Sequence, residues 1–84
     1  MKKILIVEDD VLLNHTLGYN LASDGYDVTS AYHCKDAVHH LKETEFDTAL
    51  LDINLPDGSG LDLCEEIRGR GQHTYIIFIT ANDK

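Results

Sequence analysis

Glu8, Asp9 and Asp10 follow directly on Ile4-Leu5-Ile6-Val7, and Asp52 follows directly on Ala49-Leu50-Leu51. Carboxylates crowded into one place repel one another, and a cation offsets that repulsion. Hard oxygen donors favour Mg²⁺ over zinc or copper. A divalent ion held by carboxylates serves to neutralise phosphate oxygens, and an aspartate beside it can itself be the nucleophile, forming an aspartyl-phosphate. Asp52 is the better candidate for that role, because it stands alone at its strand end and faces the pair. Thr80 offers a hydroxyl donor to a phosphoryl oxygen. Each position also has a plainer reading. Glu8-Asp9 reads alone as a solvated strand end with a helix cap, Asp52 as a turn-initiating acid before Pro56, and Thr80 as a β-branched strand residue. It is their common register that favours chemistry.

The pattern around these residues supplies the elements that must position them. Ile4 to Val7 reads as a strand buried on both faces. Leu13, Leu17 and Leu21 recur every four residues with Leu12 beside them, which predicts an amphipathic helix. Asp9 or Asp10 can cap its start, and Gly25 sits where a C-cap glycine would. Tyr26 to Ala31 alternates as a second, more exposed strand, and Ala37, Val38 and Leu41 mark a second helix from Cys34 to Glu43. Phe46 to Asp52 is a third strand, and Asn54 to Gly60 is the densest turn signal in the chain. Ser59 can cap a third helix that buries Leu63 and Ile67 and ends at Gly69-Arg70-Gly71. Tyr75 to Thr80 is a fourth strand, apolar on both faces. The order βαβαβαβ gives a parallel sheet with right-handed crossovers and helices on both faces. The working site of such a sheet lies beyond the carboxyl ends of its strands. Glu8, Asp9, Asp52 and Thr80 all stand at such ends.

At 84 residues the chain holds at most one small domain, whose margin of stability is thin. Its net charge of −8, from fifteen acidic and seven basic residues, argues against a direct grip on phosphate backbones. Cys34 and Cys64 form no CxxC or zinc spacing. Cys64 reads as a small core residue, and reduced thiols fit a cytoplasmic setting. Only four apolar residues follow Met1-Lys2-Lys3 before acid, too few for a signal segment or a membrane span. A soluble, cytoplasmic chain with no membrane partner is expected. His39 and His40 are adjacent and so point to different faces of a surface helix, which argues against a metal site. His15, His33 and His73 are isolated.

Taken together, Ile4 to Asp9, Leu51-Asp52 with Leu55-Pro56-Asp57-Gly58-Ser59-Gly60, and Ile79-Thr80-Ala81 resemble the receiver domain of a bacterial two-component response regulator. The match spans residues 1–84 in the right order and spacing. It implies an α/β, flavodoxin-like doubly wound parallel sheet, with strand order 2-1-3-4 for the strands present. It also implies that Asp9 is the more direct Mg²⁺ ligand, with Glu8 acting through water and Asp10 capping the helix. Asp52 matches the phosphoacceptor, which takes a phosphoryl group from the phosphohistidine of a sensor histidine kinase. The main-chain carbonyl of Asn54 matches a third protein metal ligand, Thr80 the switch hydroxyl and Ala81 the small residue beside the site. Such a chain is not an enzyme in the usual sense; it catalyses its own phosphorylation and dephosphorylation at most.

The resemblance further implies a fifth strand and two more helices. With them would come a phosphoryl-contacting lysine and an aromatic switch residue. The sequence stops at Lys84, which does not match that lysine. The expectation is a receiver truncated after the fourth strand, either a fragment or completed as a homodimer or strand-exchanged dimer. The loop from Leu55 to Gly60 resembles that of transcriptional regulators with a winged-helix output domain, so DNA would be met only through a domain outside this sequence. The alternative is a non-phosphorylated receiver-like docking or assembly module. A Mg²⁺-dependent phosphohydrolase is a weaker rival, since it would usually carry an aspartate where Asn54 stands.

Overall fold

The structure is a computed structural model and describes residues 1–79. Thr80 and Ala81, with the roles the resemblance gives them, lie outside the described residues. The elements in chain order are β1 (Lys3–Val7), α1 (Val11–Ser23), β2 (Asp27–Ala31), α2 (Cys34–Glu43), β3 (Thr48–Asp52), β4 (Asn54–Leu55), β5 (Gly58–Ser59), α3 (Gly60–Gly69) and β6 (Tyr75–Ile79). The main sheet is parallel, in the order β2-β1-β3-β6. That is the expected 2-1-3-4 order. The fourth strand carries the label β6 because Asn54 to Ser59, read from sequence as a turn, forms a short antiparallel ribbon of its own.

Register explains how the strand ends converge. Val7 lies opposite Leu51 and Ala31, so Glu8 leaves β1 level with the end of β3. Side chains alternate across a strand. Leu5, Val7, Ala49 and Leu51 therefore share one face, where they meet Ala37 and Leu41 of α2 and Leu63 and Ile67 of α3 in a closed core. Ile4 and Ile6 are also buried, but on the opposite face, where α1 crosses and Ile6 approaches Gly18.

The α1 face is covered less completely than the leucine stripe implies. Leu13, Leu17 and Leu21 are only half-buried, and Leu12 is 77% exposed. The helix packs over β1 and β2, which leaves a groove of about 300 Å³ beside it, floored by Ile4, Thr48, Leu50 and Ile77. Cys64 is likewise not a core residue. It is half-buried, because the inward face of α3 is carried by Leu63 and Ile67 and the next position is rotated away from it.

The helix ends follow their sequence signals. Asp10 Oδ1 accepts from the Leu13 N–H at 3.1 Å, and Ser59 Oγ accepts from the Leu61 N–H at 3.0 Å. Gly25 and Gly71 take φ of 97° and 75°, the left-handed conformation that only glycine adopts freely. In both, the glycine N–H and the next N–H bond back to the helix carbonyls (Ala22 and Leu21, then Arg68 and Ile67), closing a Schellman motif.

Candidate functional site

The buried end of β1 emerges at Glu8, which is 1% exposed, while Asp52 at the end of β3 is 7% exposed and Asp9 lies open to solvent. One carboxylate oxygen from each of the three lies within 4.8 Å of the others. Full charges at that separation repel by about 3 kcal/mol per pair at an effective dielectric near 20. The protein relieves this at Glu8, whose carboxyl is pushed up to about 7. Burial is the main cause, and the neighbouring Asp52 charge adds to it. Glu8 Oε2 accepts from the Asp10 N–H at 2.9 Å, whereas Oε1 is buried without a hydrogen-bond partner among the described residues. A buried carboxylate oxygen lacking a donor fits a site that a proton or a cation completes.

The other walls are main chain. Asp52 Oδ1 accepts from the Asn54 N–H at 3.2 Å, which fixes that oxygen. The Gly60 N–H donates to the Ile53 carbonyl at 3.1 Å, and a Cβ at Gly60 would collide with the Asp52 carbonyl. The start of α3 can approach the β3 end this closely only as glycine.

Asn14 was not singled out by sequence reasoning. It is wholly buried, and its Nδ2 donates to the Glu8 carbonyl at 2.9 Å and the Ala31 carbonyl at 3.0 Å. It thus joins the ends of β1 and β2 and sets where the Glu8 side chain starts. The available signal was a polar residue on the inward stripe of α1, one position from Leu13 and three from Leu17.

Of the residues the sequence singles out, Glu8, Asp9 and Asp52 are brought together, and Asn54 reaches the cluster through its N–H. Asp10 points its carboxylate into the α1 cap. His39 and His40 pair with different acids of α2, Glu43 at 3.8 Å and Asp36 at 3.6 Å. Cys34 packs beside the core and Cys64 is half-buried; both are free thiols.

The sequence matches the model of the response regulator receiver domain over residues 4–84. The chain belongs to that family. Among similar solved structures, the non-phosphorylated HemR receiver domain from Leptospira biflexa is 37% identical. It superposes with a TM-score of 0.90 over 100% of this chain and 68% of that one. The response regulator TrrA from Thermotoga maritima, in complex with Mg²⁺-BeF, is 32% identical with a TM-score of 0.89, covering 99% of this chain and 72% of that one. A CheY-like receiver domain protein from Methanospirillum hungatei is 30% identical with a TM-score of 0.90, over 100% and 67%. The receiver fold is therefore flavodoxin-like, with three helices and a four-stranded parallel sheet among the described residues. Among the described residues no helix is long and apolar enough to cross a membrane.

Proposed function

We propose that this receiver takes a phosphoryl group onto Asp52 from the phosphohistidine of a sensor histidine kinase. Glu8, Asp9, Asp52 and the Asn54 carbonyl would hold the Mg²⁺ that assists. The observation that carries the reading is the convergence of three carboxylate oxygens at strand ends, with Glu8 Oε1 buried and unpartnered. All-oxygen donors of this kind suit a hard divalent ion, and the similar TrrA receiver is one solved with Mg²⁺-BeF. When bound, Mg²⁺ neutralises charge on the phosphoryl oxygens.

The chain's own residues do the rest. Asp52, tethered through Oδ1 to the Asn54 N–H, would present its other oxygen to phosphorus. The new O–P bond forms as the donor's P–N bond breaks, and the imidazole leaves with the bonding electron pair. In this reading Asp9, open to solvent, would be the direct ligand and the buried Glu8 would act through water. Thr80, by resemblance, supplies the switch hydroxyl. The shape change would be read by an output domain of a longer regulator, DNA-binding by the resemblance of the Leu55–Gly60 loop. At net charge −8, this domain itself is a poor match for DNA.

Incubation with Mg²⁺ and acetyl phosphate tests the reading by intact mass. A phosphate-sized gain is expected that requires Mg²⁺ and is abolished in Asp52→Asn. No gain would contradict it and favour a docking module, and an equal gain in Asp52→Asn would contradict Asp52 as the acceptor.

A further inference from the structure

On the side of the ribbon away from Asp52, one side chain joins two elements that the catalytic reading treats separately. Asp57 lies in the turn between β4 and β5, and both of its carboxylate oxygens reach the first turn of α2. Oδ1 accepts from the Cys34 N–H at 2.6 Å and Oδ2 from the Lys35 N–H at 3.0 Å. The first N–H groups of a helix have no partner within it, and a carboxylate there also meets the positive end of the helix dipole. Helix α2 already has its own cap in His33, whose Nδ1 accepts from the Asp36 N–H at 3.2 Å and lies 3.9 Å from Asp57 Oδ2. Asp57 therefore does more than end a helix. It fastens the tip of the ribbon to α2.

The packing around this fastening is close. A Cβ at Gly58 would stand 2.9 Å from Cys34 Sγ, and that thiol donates to the Ser59 carbonyl at 3.8 Å. From this tip the ribbon runs back in fixed register, Leu55 opposite Gly58 and Asn54 opposite Ser59. At its base the Asn54 N–H holds Asp52 Oδ1. The ribbon is too short to hold a shape unaided, since isolated two-stranded hairpins are marginal in water. Its tip needs an anchor.

We propose that Asp57 is a positioning residue for the site. By pinning the ribbon to α2, it sets Asn54, and with it the Asp52 carboxylate and the proposed metal-facing carbonyl. The inference rests on the phosphoacceptor reading, and it extends that site by a residue at the opposite end of the ribbon. It makes α2 and the Asp52 loop one mechanical unit.

Three variants of the full chain test it, with Mg²⁺ titrated by calorimetry and backbone amide exchange followed in parallel. Asp57→Ala is expected to weaken Mg²⁺ binding by about tenfold, the scale at which residues behind metal ligands act. It should also speed amide exchange at Asn54 and Gly60. Asp57→Asn, which keeps one acceptor oxygen, is expected to recover part of both effects. Asp36→Ala removes the pair to His40 within α2 and leaves both Asp57 bonds in place, and is expected to leave Mg²⁺ affinity and Asn54 exchange as in the parent chain. Unchanged Asn54 exchange in Asp57→Ala, or an equal loss in Asp36→Ala, would overturn the proposal. If the parent chain itself bound no Mg²⁺, the phosphoacceptor reading would fall, and the exchange data would still decide whether Asp57 positions Asn54.

Discussion

Glu8 is the residue at which charge, burial and proposed metal binding meet. With its folded pKa near 7 against an ordinary value of 4.5, the folded chain holds more protons than the unfolded one between those values. Stability from this group is therefore greatest below 4.5, falls as pH rises towards 7, and is level above it. The proposed Mg²⁺ would compete with the same proton, so its affinity is expected to fall by up to about tenfold per pH unit below 7. Glu8→Gln should flatten that dependence between pH 6 and 8 in a calorimetric titration; a slope unchanged from the parent would show that another group is responsible. Asn14 acts on the same corner from behind. Asn14→Ala leaves the buried Glu8 and Ala31 carbonyls without their shared donor, and is expected to cost about 1–3 kcal/mol in urea unfolding. The Cys34 thiol, pushed up to about 11 by burial and then by the Asp57 charge, should alkylate at pH 8 roughly a hundredfold more slowly than an unperturbed thiol.

The elements differ in how openly the sequence declares them. Strands β1 and β3 are legible because apolar runs of four and three residues ending in acid have few other meanings, and the caps at Asp10, Ser59 and Gly25 announce themselves by residue type. The β4–β5 ribbon is not legible, because turn residues signal a reversal without saying whether the flanking pairs bond across it. The shallow burial of α1 is hidden for another reason: periodicity fixes which face is apolar, not how much covers it. The two faces of the sheet should therefore respond differently to truncation. Leu41→Ala or Ile67→Ala, in the closed core, is expected to cost about 2–5 kcal/mol. Leu12→Ala should stay within about 0.5 kcal/mol. The Asp57 tie runs opposite to Glu8 in pH. Its carboxyl is held below the usual aspartate range by the Cys34 and Lys35 N–H groups. Its contribution is thus full above the unfolded pKa and lost as pH falls through the folded one. A loss of Lys35 amide protection in acid that is absent in Asp57→Ala would register that loss.

At the scale of the whole molecule, the described sheet is asymmetric. One face is sealed by α2 and α3; the other opens into the groove beside α1, next to a strand whose Tyr75, Ile77 and Phe78 are 68%, 41% and 39% exposed. Strand edges and apolar faces of this kind pair with other chains. Concentration-dependent association is therefore expected in sedimentation velocity, reduced by Ile77→Lys; a monomer at all concentrations would contradict it. None of this alters what the strand ends are arranged to do. The fold belongs to the receiver family, and the order of its strands brings Glu8 and Asp9 to Asp52 across two neighbouring carboxyl ends. The most direct test is to locate the phosphoryl group itself. After reaction with Mg²⁺ and acetyl phosphate, borohydride reduction converts an aspartyl-phosphate to homoserine, which peptide sequencing by mass spectrometry can place. Homoserine at position 52 is the result expected; homoserine at position 9 or 57, or at none, would contradict the assignment of Asp52.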